Sequence, residues 1–297
     1  MLPFASLTLA GLCWGLGFPL GKLILREMEP SHAVFLRFLV AGIASLPFAL
    51  RSAEARSLFR SPPVLLAGVL YGVAFLVQFE GLSQVTVTLA ALLVGAMPAL
   101  IAITAWILRE KVSRASWIGV IAATAGAVLI AGLPNGSGTP FGIALSLFSL
   151  LIFLAWLLTL KRAPDVRSAM AVPAVTVIIA TATILPIALM LHGLPPLHFS
   201  PIAWSGIIGQ GLLSTLLATA AWNYGATRVG SAAAGVFINI EPLMGAILGI
   251  GLFGDPAGVT IIAGGALIIA GSLVTVLGER SKRSGFRIAG VPPLDLR

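Results

Sequence analysis

Apolar residues fill this chain in ten blocks of roughly twenty, separated by short polar, proline-rich or glycine-rich turns. A helix that crosses a bilayer needs about 20 mostly apolar residues. The blocks predict spans at roughly 4–25, 31–50, 63–83, 87–108, 115–132, 140–160, 169–191, 201–227, 231–253 and 257–277. Pro30, Pro62-Pro63, residues 134–138, Pro195-Pro196 and Gly254-Asp255-Pro256 mark turns between them. The connections are too short for a soluble catalytic domain. The first block lacks a basic n-region and stays apolar past any small-residue cleavage site, so it reads as a span rather than a signal peptide.

The pattern also repeats. The stretch from Thr88 to Ala102, a small-residue apolar helix with Pro98 near its middle, recurs 144 positions on, from Ser231 with Pro242. Upstream, Gln78-Phe79-Glu80-Gly81 aligns with Trp222-Asn223-Tyr224-Gly225 at the same offset, and downstream Gly126 aligns with Gly271 after a one-residue slip. The chain is a duplication. Residues 1–135 form one five-helix unit, 136–278 a second, and 279–297 a basic tail.

Composition agrees. Charged residues are 9% of the chain against roughly 25% in soluble domains, and the mean hydropathy is +1.06. A single cysteine, Cys13, excludes an intrachain disulfide. The net charge of +8 lacks the basic patch with interleaved aromatics that nucleic acid requires.

The charges orient the chain. Turns from odd to even spans hold only Lys22 and Arg26; Arg37 lies inside a span; the other fifteen basic residues fall in even-to-odd turns and the tail. Cytoplasmic loops carry the Lys/Arg excess, so both termini are expected in the cytoplasm of a bacterial or archaeal inner membrane. Five is an odd number, so the second unit must be inverted relative to the first. Inverted repeats are a signature of secondary transporters, with the substrate site near the midplane at their interface. The expected architecture is all-α, with ten transmembrane helices in two inverted five-helix repeats.

Candidate substrate-binding residues follow from polar and aromatic positions inside spans. Tyr71, Phe75 and Gln78 share one face of the third span; Thr215, Thr219 and Trp222 occupy the equivalent positions of the eighth, and Asn223 extends that stripe. Such a face is costly against lipid. It lines a cavity or bonds helix to helix. Trp14 and Trp156 lie deep in the first and sixth spans, where an indole N–H needs a partner. Pro98 and Pro242 each free a carbonyl at mid-membrane, as cavity contacts, gating kinks or simple structural kinks. Glu241 is the deepest acid, at a cost of roughly 2.5–3.5 kcal/mol on the insertion scale. It binds a substrate ammonium, carries a proton, or bonds the kinked backbone. Arg37 and Glu80, both placed near the outer surface by chain direction, are expected to attract each other across the hairpin between spans two and three. Small-residue stripes, Gly119–Gly126 and Gly264–Gly271, read as packing faces.

Trp14-Gly15, Arg37, the run to Pro98, Arg109-Glu110-Lys111 and the glycine-rich fifth span, with the weaker second copy at Pro242 and Gly271, resemble the ten-helix EamA-type branch of the drug/metabolite transporter superfamily. Gly254-Asp255-Pro256 departs from the first copy's Glu-Lys. The resemblance implies export or exchange of small metabolites through a cavity between spans 1, 3, 4, 6, 8 and 9. Within the family the chain resembles the bacterial aromatic amino acid exporter group, which implies neutral or aromatic amino acids as the expected substrates. Multidrug or other metabolite efflux, sugar-phosphate exchange included, and a membrane receptor or scaffold are the alternatives. A phosphate substrate would want Lys or Arg deep in the cavity, whereas Lys22, Arg37 and Lys161 read as terminal. An enzyme would want clustered His, Asp or Glu; His32, His192 and His198 fall in loops or at helix ends. No metal or cofactor and no nucleic acid is expected. The partners are a small molecule, lipid and, at most, a second copy.

Overall fold

A computed structural model describes residues 1–107, 109, 112–131, 138–228 and 237–284. The first half of the repeated stretch's second copy, Glu110 and Lys111, and the tail from residue 285 lie outside the described residues. The helices are α1 (Leu2–Ile24), α2 (Pro30–Arg51), α3 (Ala53–Leu58), α4 (Pro62–Ser83), α5 (Val87–Val94), α6 (Met97–Ile107), α7 (Arg114–Ala131), α8 (Pro140–Leu160), α9 (Ala171–His192), α10 (Pro201–Ala226), α11 (Ile240–Phe253) and α12 (Val259–Ser284). Among the described residues eight spans are long and apolar enough to cross a membrane, α5 and α6 together supplying one; Arg114–Leu129 and Ile240–Phe253 are shorter apolar helices.

The turn residues become helix starts. Pro30, Pro62, Pro140 and Pro201 open their helices, where the missing N–H has no intrahelical acceptor to serve. Ser52, Thr86, Thr139 and Ser200 cap with side-chain oxygens that accept from Ala55, Leu89, Gly142 and Ala203 N–H groups.

Three expectations change. The span predicted at 87–108 is broken at Gly95-Ala96, one turn before Pro98, which sits in the first turn of α6 rather than kinking a continuous helix. Asn239, 144 positions after Gly95, likewise precedes α11 and leaves Pro242 in its first turn. A proline placed there removes no interior hydrogen bond, so breaking is cheaper than kinking. The span at 201–227 contains a π-helical segment, Gln210–Leu217. The last helix runs to Ser284, past the expected end at 277.

Equivalent helices of the two halves pack antiparallel. His32 bonds the Gly193 carbonyl while Thr181 bonds that of Phe38, so α2 and α9 run oppositely. In α5 and α11, Thr88 faces Gly249 while Gly95 faces Pro242; in α7 and α12, Gly119 faces Thr275 while Gly126 faces Gly264. The halves are therefore inverted. Glycine permits the closest approach: a Cβ at Gly119 would lie 2.3 Å from the Gly271 carbonyl oxygen.

Candidate substrate cavity

A cavity of about 540 Å³ lies between the halves, within the size range of small-molecule sites, about 300–1,000 Å³. Its lining runs from Val112, Lys161 and Val172 at one end of the bundle to Phe18 and Leu82. Beyond them the other end is bonded shut. Lys22 Nζ donates to the Leu82 and Val85 carbonyls at 2.8 and 2.7 Å, tying α1 to the end of α4. The Gln210 amide donates to the Gly17 carbonyl, tying α1 to α10. Asp255, in the turn that departs from the first copy, accepts from Thr88 N–H at 2.7 Å and caps α5. Ser31 bonds His192 at 2.8 Å between α2 and α9.

The wall is aromatic. Tyr71 stacks on Trp156 with centroids 4.9 Å apart, and Phe75 meets Phe153 edge-to-face at 5.0 Å. Trp14 and Trp222 face each other at 5.4 Å. The four-residue and three-residue steps on α4 and α8 bring these rings onto facing stripes. Trp14, Tyr71, Phe75, Gln78, Trp156, Thr219, Trp222, Asn223, Glu241, Arg37 and Pro98 all border the cavity.

Three of the expected residues do not. Thr215 is fully buried behind the wall; its hydroxyl donates to the Gln210 carbonyl at 2.9 Å and accepts from Arg37 Nε at 2.7 Å. Glu80 accepts from Gln84 on its own helix, and Pro242 packs against the α5–α6 break. The expected attraction between Arg37 and Glu80 is not formed. Arg37 instead swings inward, its guanidinium 4.1 Å from the Phe75 ring centroid and 5.5 Å from that of Phe79, and only 3% of the residue is exposed. Aromatic faces stabilise a cation, and Thr215 offers an acceptor that Glu80, outside the lining, does not. Arg37 is therefore a cavity residue rather than an outer-surface one. Phe79, Phe153, Met97 and Thr176 also line the space; Phe153 precedes Trp156 by three residues and so shares its helix face, whereas Met97 and Thr176 carry no signal distinguishing them from ordinary apolar packing.

A helical bundle of eight membrane-length spans and two shorter apolar helices among the described residues, inverted in halves and lining a small-molecule-sized cavity bonded shut at one end, defines a membrane transport fold. The model of the EamA-like transporter family matches residues 3–132 and again 140–277, one copy for each half, so the chain belongs to that family and is a membrane transporter. It is similar to the uncharacterised transporter YetK of Bacillus subtilis, 26% identical over 93% of this chain and 87% of YetK. It also resembles the uncharacterised inner membrane transporter YedA of Escherichia coli, 25% identical over 93% and 92%. A probable biotin transporter of Pseudomonas aeruginosa is 25% identical over 91% and 96%. A solved crystal structure shares the fold at a TM-score of 0.64 with 21% identity, covering 94% of this chain and 99% of that one.

Proposed function

We propose that this transporter exports neutral amino acids, aromatic ones among them, by alternating access across the inner membrane. The observation that carries the reading is the aromatic cavity with Glu241 on its wall, its lining reaching Lys161 toward one end and helices bonded together beyond it at the other. An ammonium group would be held by the Glu241 carboxylate and by ring faces, while the walls accept an apolar side chain. The basic turns, Lys161 and Arg162 among them, lie at the first of these ends, so the excess of Lys/Arg there makes that end cytoplasmic and the cavity ready to load from inside. Residues 1–135 and 136–278 would then rock against each other, with the termini and the tail from 279 in the cytoplasm.

A second reading is transport of an apolar monocarboxylate, supported by the biotin transporter among the relatives. Counterflow in proteoliposomes separates the two. Labelled phenylalanine or leucine is expected to exchange saturably, with at least a tenfold loss in Glu241→Gln, the scale of one charge-assisted contact of about 1.5–3 kcal/mol. Saturable biotin exchange with no exchange of either amino acid would sink the amino acid reading.

A further inference from the structure

The cavity holds a cation that the preceding reading does not use. Arg37 reaches it from α2 with one of its five N–H groups engaged: Nε donates to Thr215. Its terminal amino groups make no hydrogen bond to the described residues, yet the side chain borders the cavity. No carboxylate lies in ion-pair contact with it among the described residues; the acid on the same lining is Glu241. A buried guanidinium whose fork is uncommitted is costly, and a planar two-oxygen anion is the group that fits it. A second donor stands on the same wall. The Trp156 indole N–H is buried without a partner among the described residues, its ring stacked on Tyr71, which in turn packs edge-to-face on the Phe75 ring under the guanidinium.

We infer that Arg37 is the carboxylate anchor of the transported molecule, with the Trp156 N–H as an additional donor, so that substrates must carry a carboxylate on an apolar body. This rests on the amino acid reading for the role of Glu241 but not for that of Arg37. Arg37 and Glu241 are opposite charges on one lining. A zwitterion would offer its carboxylate to Arg37 and its ammonium to Glu241. Thr215 positions the anchor: by accepting a hydrogen bond from the Nε–H it leaves the terminal amino groups toward the cavity, and its own hydroxyl is fixed by the carbonyl of Gln210 in the π-helical segment.

The test uses thermal stabilisation of the purified full-length protein by phenylalanine, 3-phenylpropionate, which lacks the ammonium, and phenethylamine, which lacks the carboxylate. The two carboxylates are expected to raise the melting temperature of the wild type, and phenethylamine, held by Glu241 and the rings alone, to raise it less than either. Arg37→Gln is expected to lose the response to both carboxylates, and Trp156→Phe, which keeps the ring, to need about tenfold more ligand, the equivalent of about 1.4 kcal/mol. Phenethylamine stabilising as well as phenylalanine would overturn the inference, as would no response to either carboxylate, or unchanged phenylalanine affinity in a helical Arg37→Gln protein. The wild-type comparison decides the carboxylate requirement; Arg37→Lys, which keeps the charge and loses the planar fork, serves where Arg37→Gln does not fold and is expected to weaken the response to both carboxylates. An Arg37-dependent response to 3-phenylpropionate without phenylalanine transport would keep the anchor and reject the amino acid reading.

Discussion

A single arginine changes meaning between chain and fold. By count along the helix Arg37 stands seven residues past Pro30, about 10 Å below the start of α2 at 1.5 Å per residue. Depth alone left it near the outer surface, with Glu80 as the obvious opposite charge. What depth does not give is the direction of the side chain, and Thr215, 178 positions away, supplies the acceptor that turns it inward. At the closed end Glu27 shows the same dependence on a distant partner. Ser200 donates to it from both its hydroxyl and its backbone N–H, the latter at 2.9 Å, and these bonds hold the carboxyl below its ordinary value of 4.5. A lowered folded-state value stabilises the closed contact above pH 4.5, and that contribution is lost as the pH falls through the lowered value. Ser200→Ala is therefore expected to move the Glu27 carboxyl titration, followed by carboxyl carbon NMR, upward toward 4.5. The same change removes the cap of α10, at about 0.5–2 kcal/mol. A titration unmoved by the substitution would refute the contact.

At the scale of elements the proline and glycine pattern was read correctly for position and differently for form. Helix starts at Pro30, Pro62, Pro140 and Pro201 were legible because a proline has so few places to sit. The breaks at Gly95-Ala96 and Asn239 were legible only as kinks, since the same proline can bend a helix or begin one, and the choice depends on what packs alongside. The short helix α3 escaped notice: six residues with Ser52 as cap make no span-length apolar signal. The π-helical segment carries no sequence mark either, because the extra residue per turn is stabilised by contacts with α1 and α2. The glycine stripes were read as packing faces, and α7 on α12 is that face. Gly119→Ala would put a methyl 2.2 Å from the Thr275 hydroxyl and 2.3 Å from a backbone carbonyl that cannot swing aside. Overpacking of this kind costs typically 1–3 kcal/mol, so the solubilised variant is expected to unfold several degrees below wild type; an unchanged melting temperature would mean that the two helices are not in this contact.

Across the whole molecule the inverted duplication and the one-sided closure belong together. Two halves of opposite direction give two ends of similar construction, and bonds such as Lys22 to the Leu82 and Val85 carbonyls and Asp255 to Thr88 close one of them. A cysteine at Ala102, in a Cys13→Ala background, is expected to react with a membrane-impermeant maleimide added at the face carrying Lys161 and to be protected by substrate. Labelling solely from the opposite face would reverse the orientation drawn from the basic turns. The sequence by itself determined the solvent, the number of crossings, the duplication and the aromatic stripes. Those depend on composition and local periodicity, which each stretch carries alone. Only the tertiary structure decided that Arg37 borders the cavity, as Glu241 does, rather than pairing with Glu80 across a hairpin, and that Thr215 stands behind the wall while Thr219 lies in it. The direction of a buried polar side chain is fixed by partners far along the chain, and no local pattern encodes them.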